Sequence, residues 1–379
     1  MSDLLALHWG IDEITAVVPG RGKSVQAITL VRPEALASDP TALGRWLKGD
    51  LAARRISAKR AEIILPRAAA VLRKLSLPNV PEEELPDVVR MQAATKSPTP
   101  LDRLRLDFVP LPRRGDGWDV LLATVAGRTV DEILTSVRTA GMEPAALGLS
   151  PFGYAAKIAG NVPTLIVAVQ KTSAEITVAR SGSVLMAHAT DLPGGDLDED
   201  QQWLSSEISR AVVAADHLEA GGRIDRIVLI GPQDLLEPLG DSQASRYEGE
   251  TELIFDAAGL DVTTEGGDVD AAALAATLGQ LVSGGPPRLN FLSPRKRIEK
   301  PDRRRLRIGM AVGGVLAALI TAFGVSWGKQ NALQNEIDVL NIESARLEQE
   351  IKLGQPSVDA MNAIDSWKDG QKETGDVLA

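Results

Sequence analysis

TLIVAVQKTSAEITVARSGSVLMAHAT, residues 164–190, gives the clearest indication of how this chain is built. It contains three apolar runs rich in β-branched residues, which favour strands. A polar KTS segment separates the first two runs, and Ser181-Gly182, a turn-forming pair, separates the last two. Because short turns join antiparallel strands, we predict a three-stranded β-meander over 164–190.

The N-terminus repeats this arrangement. We predict strands over 4–8, 13–19 and 24–31, with Gly20-Arg21-Gly22 as a hairpin turn. Further helices are predicted at 41–54, 82–94, 131–140, 201–218 and 270–282, and further strands at 62–65, 70–75, 118–125 and 227–230. Two halves that each begin with a meander predict a two-lobed α/β domain over 1–285.

Residues 308–328 form a stretch without any charged side chain. A helix of this length is about 31 Å long, close to the hydrocarbon thickness of a bilayer, and predicts one transmembrane helix. Trp327 lies near its far end, and four arginines precede it: Arg303, Arg304, Arg305 and Arg307. Since basic residues stay on the cytoplasmic side, we expect a single-pass protein of the inner membrane with a cytoplasmic N-terminus.

The composition limits the classes of partner. The formal net charge is -10, and the segment 295–307 has a net charge of +6, so the remainder carries -10 - 6 = -16. An acidic body argues against nucleic acid as a partner, and the basic segment beside the predicted span favours anionic membrane lipid. The chain has no cysteine, which excludes disulfides and thiolate metal sites.

The segment after the predicted span has heptad spacing, which predicts a short coiled coil over 329–353. Its apolar positions are Leu333, Ile337, Leu340, Leu347 and Ile351. Gly309 and Gly313 are four residues apart and would let two spans pack closely in a homodimer; the alternative is that they are ordinary transmembrane glycines. Gly354-Gln355-Pro356 predicts the end of this helix, which leaves a short polar tail over 354–379.

Several segments of the cytoplasmic portion resemble PilM, the actin-like cytoplasmic protein of type IV pilus assembly. They are LVRPEAL (30–36), RKLSLPNVPEEEL (73–85), the run from WDVLLATVAGRT to GYAAKIA (118–159) and RLNFLSPRK (288–296). The predicted span and coil resemble PilN, and a fusion of the two has the layout of GspL, a type II secretion component. The resemblance implies an actin-like (RNase H-type) domain over 1–285 and a linker over 286–307. It also calls for a ferredoxin-like domain after the coil, and 354–379 is too short for one, so the C-terminus is expected to be truncated or divergent.

Actin-like domains hold phosphates with two glycine-bearing hairpins, each following a strand that carries an aspartate. In this chain the corresponding positions are degenerate: His8, Gly10, Ala168, Gln170, Gly231 and Pro232. His8 and Ala168 stand where the resemblance calls for aspartate, and Pro232 removes an N–H from the adenosine-side turn. We therefore expect no catalytic residue, no metal and no cofactor, and no hydrolysis of ATP.

The sequence thus predicts a bitopic inner-membrane scaffold of a type IV pilus or type II secretion-like assembly. The partners that the resemblance implies are a PilN- or PilO-like membrane protein and a cytoplasmic assembly ATPase. Two alternatives remain open: a membrane-tethered active ATPase of the actin-like superfamily, and a transmembrane signalling regulator.

Overall fold

The computed structural model describes residues 3–112, 116–218, 223–265, 269–282, 288–297 and 303–375. In the last of these ranges it describes side chains from 313 to 366, except at 332, 354 and 358. The chain forms two compact units, Met1–Ile298 and Glu299–Ala379.

The strands of the first unit are β1 (Leu4–Trp9), β2 (Glu13–Pro19), β3 (Ser24–Val31), β4 (Arg60–Leu65), β5 (Val71–Leu77), β6 (Leu104–Pro110), β7 (Trp118–Ala126), β8 (Glu143–Leu149), β9 (Thr164–Val169), β10 (Ser173–Arg180), β11 (Ser183–Asp191), β12 (Arg226–Ile230), β13 (Glu250–Ile254) and β14 (Thr263–Glu265). Its helices are α1 (Pro40–Ala53), α2 (Leu85–Lys96), α3 (Gly127–Thr139), α4 (Ser150–Ile158), α5 (Leu197–Asp216), α6 (Gln233–Arg246) and α7 (Ala271–Leu281). The second unit contains α8 (Arg303–Gly375).

Two large sheets form the two lobes of the first unit. The first has the order β14-β3-β2-β1-β4-β8, and the second has the order β11-β10-β9-β12-β13. Each begins with an antiparallel meander whose first strand then pairs in parallel with a later strand, β4 or β12. The predicted repetition of the two meanders is therefore confirmed.

Helices α4 and α7 pack against each other and join the lobes. α4 contacts β10 and β11 of the second sheet, whereas α7 contacts β1 and β2 of the first. The crossing is very close, because a Cβ built on Gly279 would lie 1.8 Å from the carbonyl oxygen of Gly153. Glycine at this crossing lets the two backbones touch and holds the lobes at a short distance.

A third sheet, β5-β7-β6, is inserted between β4 and β8 and carries α2. It has its own small core, which includes Leu75, Leu85, Val89 and Phe108. The sequence analysis predicted neither β6 nor β8, and it also missed α4. β8 (EPAALGL) contains proline, glycine and small residues, so its propensity for a strand is weak and only its tertiary pairing with β4 forms it.

Helix α5 begins at Leu197, four residues before the predicted start at 201. The Asp196 side chain accepts a hydrogen bond from the Glu199 N–H at 2.8 Å and caps the helix. Similar caps start two other helices: Asp39 accepts from the N–H groups of Thr41 and Ala42 at α1, and Asp270 accepts from the Ala273 N–H at α7.

Helix α8 runs without interruption from Arg303 to Gly375, so the predicted helix end at 354–356 is wrong. Pro356 lies inside the helix. A proline costs about 3 kcal/mol in a helix interior, but it removes only one N–H, and helix-forming residues continue on both sides. The five apolar positions of the predicted heptad seam lie on this helix and are exposed in the single chain.

No helix in the described part of the chain has both the length and the apolar character needed to span a membrane. Residues 308–312, which include Gly309, lie outside the residues whose side chains are described, as do the four arginines from Arg303 to Arg307. Gly313 and Trp327 lie within α8, and the Trp327 side chain is exposed.

Candidate functional site

Two hairpin turns face each other across the cleft between the lobes. Residues 10–12 join β1 to β2, and residues 170–172 join β9 to β10; both turns line a cavity of about 130 Å³. The Lys171 ammonium donates a hydrogen bond to the Glu13 carboxylate and forms an ion pair with it, which links the two turns. The two turns are therefore bridged at the surface of the cleft by the protein's own side chains.

His8 lies at the end of β1 and lines this cavity. Burial lowers the pKa of its imidazole to about 4, so it is neutral at physiological pH, and its side chain is 3% exposed. Its Nε2 atom has no hydrogen-bond partner among the described residues. A neutral imidazole supplies no negative charge for a magnesium ion, unlike the aspartate that the resemblance calls for at this position.

Gly10 begins the first turn and has no room for a side chain. A Cβ there would lie 2.8 Å from the carbonyl oxygen of Glu13. The Arg32 guanidinium donates to the carbonyl oxygens of Gly10 and Ile11, at 2.9 and 2.8 Å. By donating to these two carbonyl groups of the turn, Arg32 fixes the position of the turn beside the cleft.

Gln170 lies in the second turn, where its backbone N–H donates to the carbonyl oxygen of Ser173 at 2.9 Å. That N–H is therefore already hydrogen-bonded within the hairpin. Ala168 is completely buried in β9, directly opposite Glu175 of β10. The methyl group of Ala168 provides no metal ligand. The acidic side chain beside it is that of Glu175, on the neighbouring strand β10.

Glu175 is the principal residue that sequence reasoning missed. Its carboxylate is 2% exposed and accepts hydrogen bonds from the Arg67 N–H, at 2.7 Å, and from the Ser150 hydroxyl. Burial raises the pKa of this carboxyl group to about 7, and the Ser150 and Arg67 contacts oppose the rise. Because Arg67 and Ser150 follow strands of the first lobe and Glu175 belongs to the second, this group is a second bond between the lobes.

The charge of the cavity is predominantly negative. Among the described residues that line it, five are aspartate or glutamate and one is lysine: Asp12, Glu13, Glu175, Asp191, Asp270 and Lys171. Burial also raises the pKa of Asp270, the residue that caps α7. A phosphate group placed between the turns would face these carboxylates and would have to displace Lys171 from Glu13.

Gly231 and Pro232 are not part of this cavity lining. They follow β12, and the Gly231 N–H already donates to the carbonyl oxygen of Ile254 at 3.0 Å. Gly231 has φ +148°, and a Cβ there would lie 2.7 Å from the carbonyl oxygen of Val169. Pro232 has no N–H, so the turn that the resemblance assigns to adenosine presents neither of these two donors to a ligand.

A larger cavity of about 520 Å³ lies on the other side of the first turn. It is formed by residues 9–12, the segment 32–40, the end of β4 and helix α3, and the guanidinium of Arg32 lies over the Trp9 ring at 5.9 Å. Its volume is in the range of small-molecule sites. It adjoins the cleft, because Gly10, Ile11, Asp12, Pro66 and Ala68 line both cavities, but the turn at 170–172 does not line it.

No family model matches the sequence, and no curated protein matches it. Among solved structures, the chain is similar to a chain of the PilM-PilN type IV pilus biogenesis complex, with 19% identity and a TM-score of 0.59 over 73% of this chain and 97% of that one. The cytoplasmic domain of EpsL, an inner membrane component of the type II secretion system of Vibrio cholerae, matches with 12% identity and a TM-score of 0.45, over 76% and 98% of the two chains. A Bacteroides thetaiotaomicron protein with an actin-like ATPase fold and unknown function matches with 13% identity and a TM-score of 0.41, over 66% and 90%.

The expected mixed α/β fold is confirmed by the two-lobed topology and by the structural similarity to the PilM-PilN complex. At 19% identity that similarity concerns the fold and not the activity. The chain therefore has a two-lobed α/β fold similar to that of a chain of the PilM-PilN type IV pilus biogenesis complex.

Proposed function

We propose that this protein is an assembly scaffold of a type IV pilus or type II secretion-like machine, whose actin-like domain recruits partner proteins without hydrolysing ATP. The observation that carries the proposal is the ion pair between Lys171 and Glu13, which bridges the two turns of the interlobe cleft. In an actin-like domain this cleft is the place for nucleotide, so a domain that bridges it with an ion pair of its own is suited to another role.

Size and charge both disfavour a triphosphate in the cleft. The cavity of about 130 Å³ is well below the range of about 300–1,000 Å³ that is typical of small-molecule sites. The carboxylates that line it would repel phosphate oxygens. Magnesium cannot offset the repulsion at His8 or Ala168, because neither side chain supplies a carboxylate.

The choice of partner rests on the similarity to the PilM-PilN complex. It favours a PilN-like protein as the first partner to test, and the family resemblance adds a PilO-like protein and a cytoplasmic assembly ATPase. The heptad and glycine spacing adds a second copy of this chain. The exposed seam of Leu333, Ile337, Leu340, Leu347 and Ile351 suits a helical partner, because apolar side chains at heptad spacing pack into another helix.

The location that we propose is the inner membrane, with the actin-like domain in the cytoplasm. The support is the uncharged stretch 308–328 and the arginines that precede it. The test is sedimentation of the intact chain with membrane vesicles after washing at high pH, followed by protease treatment of the vesicles. Recovery of the whole chain in the supernatant would contradict the proposal.

The proposal of an inactive cleft is tested by titrating the full chain with Mg-ATP and by measuring phosphate release. We expect no saturable binding at up to 1 mM nucleotide and no phosphate release above the buffer rate. Binding with a Kd below about 100 μM, which corresponds to about -5.5 kcal/mol, together with its loss in Gly10→Ala, would overturn the proposal.

Two lysine variants test whether the ion pair is the reason that the cleft does not bind nucleotide. Lys171→Ala opens the contact between the turns, whereas Lys23→Ala removes a comparable exposed ion pair with Asp261 far from the cleft. If only Lys171→Ala gains weak nucleotide binding, the ion pair itself closes the site. If neither variant binds nucleotide, the ion pair is not what prevents binding.

A further inference from the structure

The cavity between the two hairpin turns is lined by groups that suit a cation. Among its described lining residues are five acidic side chains and one basic side chain, that of Lys171. Its wall also carries the imidazole of His8 and short apolar side chains such as Pro66 and Ala68. The cavity therefore combines negative charge, a neutral hydrogen-bonding group and apolar surface.

Lys171 shows which kind of cation these carboxylates stabilise. Its ammonium group donates to the Glu13 carboxylate of the opposite turn. This hydrogen bond raises the pKa of Lys171, and the charges of Glu13, Asp270 and Asp12 add to the rise. Carboxylates from the first turn and from the start of α7 thus favour an ammonium group at this place. The Lys171 side chain is 79% exposed, so it occupies the entrance of the cavity and not its interior.

His8 provides a second and independent indication of a ligand. Its side chain is only 3% exposed and lines the cavity, yet its Nε2 atom has no hydrogen-bond partner among the described residues. Because burial lowers the pKa of the ring to about 4, the imidazole is neutral and one of its nitrogens accepts a hydrogen bond. A buried polar atom without a partner is costly, so a hydrogen-bond donor in the cavity would stabilise this arrangement.

A primary ammonium group matches both observations. It is a compact cation with three N–H donors, so one group can donate to an imidazole nitrogen and to carboxylate oxygens at the same time. In the described part of the chain, no three histidine, aspartate or glutamate side chains converge in the way that a metal ion requires. The volume of about 130 Å³ has room for an ammonium group and a short alkyl chain, whose methylene groups would contact Ala68, Ala189 and Ala273.

We propose that the interlobe cavity binds the ammonium group of a small primary amine, which donates to the Nε2 atom of His8 and to the carboxylates of Glu13 and Glu175. The Lys171 ammonium is the internal counterpart of this ligand and competes with it for Glu13. The inference rests on the proposed function in one respect, because a cleft that holds nucleotide has no room for the amine. Lysine side chains of other proteins carry the same group, and the test distinguishes them from free amines.

The test follows the three histidine rings of the full chain, isotopically labelled in histidine, by NMR at pH 8. At this pH Glu175 is ionised, since its pKa is about 7, and the probe, n-butylamine, carries its proton. We expect the ring signals of His8 to shift in a saturable manner as n-butylammonium chloride is added. Those of His188 and His217, which do not line the cavity, should stay in place. His8→Phe assigns the signals, because it removes only those of His8.

Two matched probes define the chemistry of the ligand. 1-Butanol has the same alkyl chain without the charge, and sodium chloride supplies a monovalent cation without N–H donors. Neither should shift the His8 signals at concentrations that saturate the effect of n-butylammonium. An equal response to 1-butanol or to sodium chloride would overturn the proposal, as would the absence of any response to n-butylammonium.

A third probe, Nα-acetyl-lysine methylamide, identifies the source of the amine. The ligand that we propose is a free small amine, so the bulky backbone end of this compound should weaken its binding about tenfold relative to n-butylammonium. Equal affinity for the two compounds would overturn the assignment to a free amine and make the lysine side chain of another protein the ligand.

Three variants test the residues of the cavity. Glu175→Gln removes a carboxylate with little change in shape and should weaken the binding of n-butylammonium about tenfold, as expected for the loss of a hydrogen bond to a charged group. Glu82→Gln makes the same change at an exposed carboxylate and should leave the affinity as in the wild type. Lys171→Ala removes the competing ammonium group and should strengthen binding about fivefold.

Equal affinity of the wild type, Glu175→Gln and Lys171→Ala for n-butylammonium would contradict the proposed site. This outcome is distinguishable from a failure of the proposed function. Saturable binding of Mg-ATP contradicts the proposed function whatever the amine does, whereas a His8 ring that does not respond to n-butylammonium contradicts only this inference.

Discussion

Glu175 offers a test of how the two lobes are held together. Its carboxyl group is buried between Arg67 and Ser150, and its pKa is raised from 4.5 to about 7 by burial. Between these two values the folded protein keeps a proton that the unfolded chain has already lost. The stability of the fold should therefore fall as the pH rises through this window and become constant above about pH 7.

The size of the effect follows from the two pKa values. The difference between 4.5 and about 7, at about 1.36 kcal/mol for each pH unit, amounts to roughly 3 kcal/mol of lost stability above pH 7. Glutamine has nearly the same shape but no charge, so Glu175→Gln should remove this dependence. For a unit of this length the difference corresponds to about 5 °C in Tm.

The assay is thermal unfolding of the wild type and of Glu175→Gln between pH 5 and pH 8. We expect the Tm of the variant minus that of the wild type to be about 5 °C larger at pH 8 than at pH 5. Glu82→Gln, which makes the same chemical change at an exposed carboxylate, serves as the control and should show no such gain. A difference between the Glu175→Gln and wild-type curves that does not change with pH would refute the reasoning.

Two further predictions concern packing and association. Gly279→Ala would place a Cβ 1.8 Å from a backbone oxygen of α4 and should cost about 3 kcal/mol or more of stability, seen as a Tm lower by about 5 °C. Gly49→Ala, with no atom within 4 Å, should instead add about 0.5–1 kcal/mol of stability. Equal Tm values for the two variants would contradict the close crossing. Cysteines introduced at Ile337 and Leu340 of α8 should crosslink between two copies in membranes. Crosslinking at the level of random collision would reject the dimer.

Much of the architecture could be predicted from local pattern. The two meanders were predicted because alternating apolar residues and short polar turns carry their signal within a few residues. The caps of α1, α5 and α7 follow from an aspartate immediately before each helix. β8 and α4 were missed because small residues and proline give them weak propensity, and the end of α8 was misplaced because a proline was taken as a stop.

The cleft was predicted in part. His8, Gly10 and Gln170 were expected at the two hairpin turns, and the structure brings them to one cavity. Glu175 was not predicted, although an acid within the apolar run AEITVAR was a signal that could have found it. The ion pair between Lys171 and Glu13 joins residues 158 positions apart, and no local pattern indicates such a contact.

The amino-acid sequence by itself determined the two meanders, the charge distribution and the residue types at the two hairpin turns, because each of these depends on neighbouring residues. Only the tertiary structure decided that Lys171 pairs with Glu13 across the cleft, that Glu175 bonds the lobes, and that Arg295 binds Asp107. These contacts join residues far apart in the chain, and their strength depends on burial, which is a property of the folded protein.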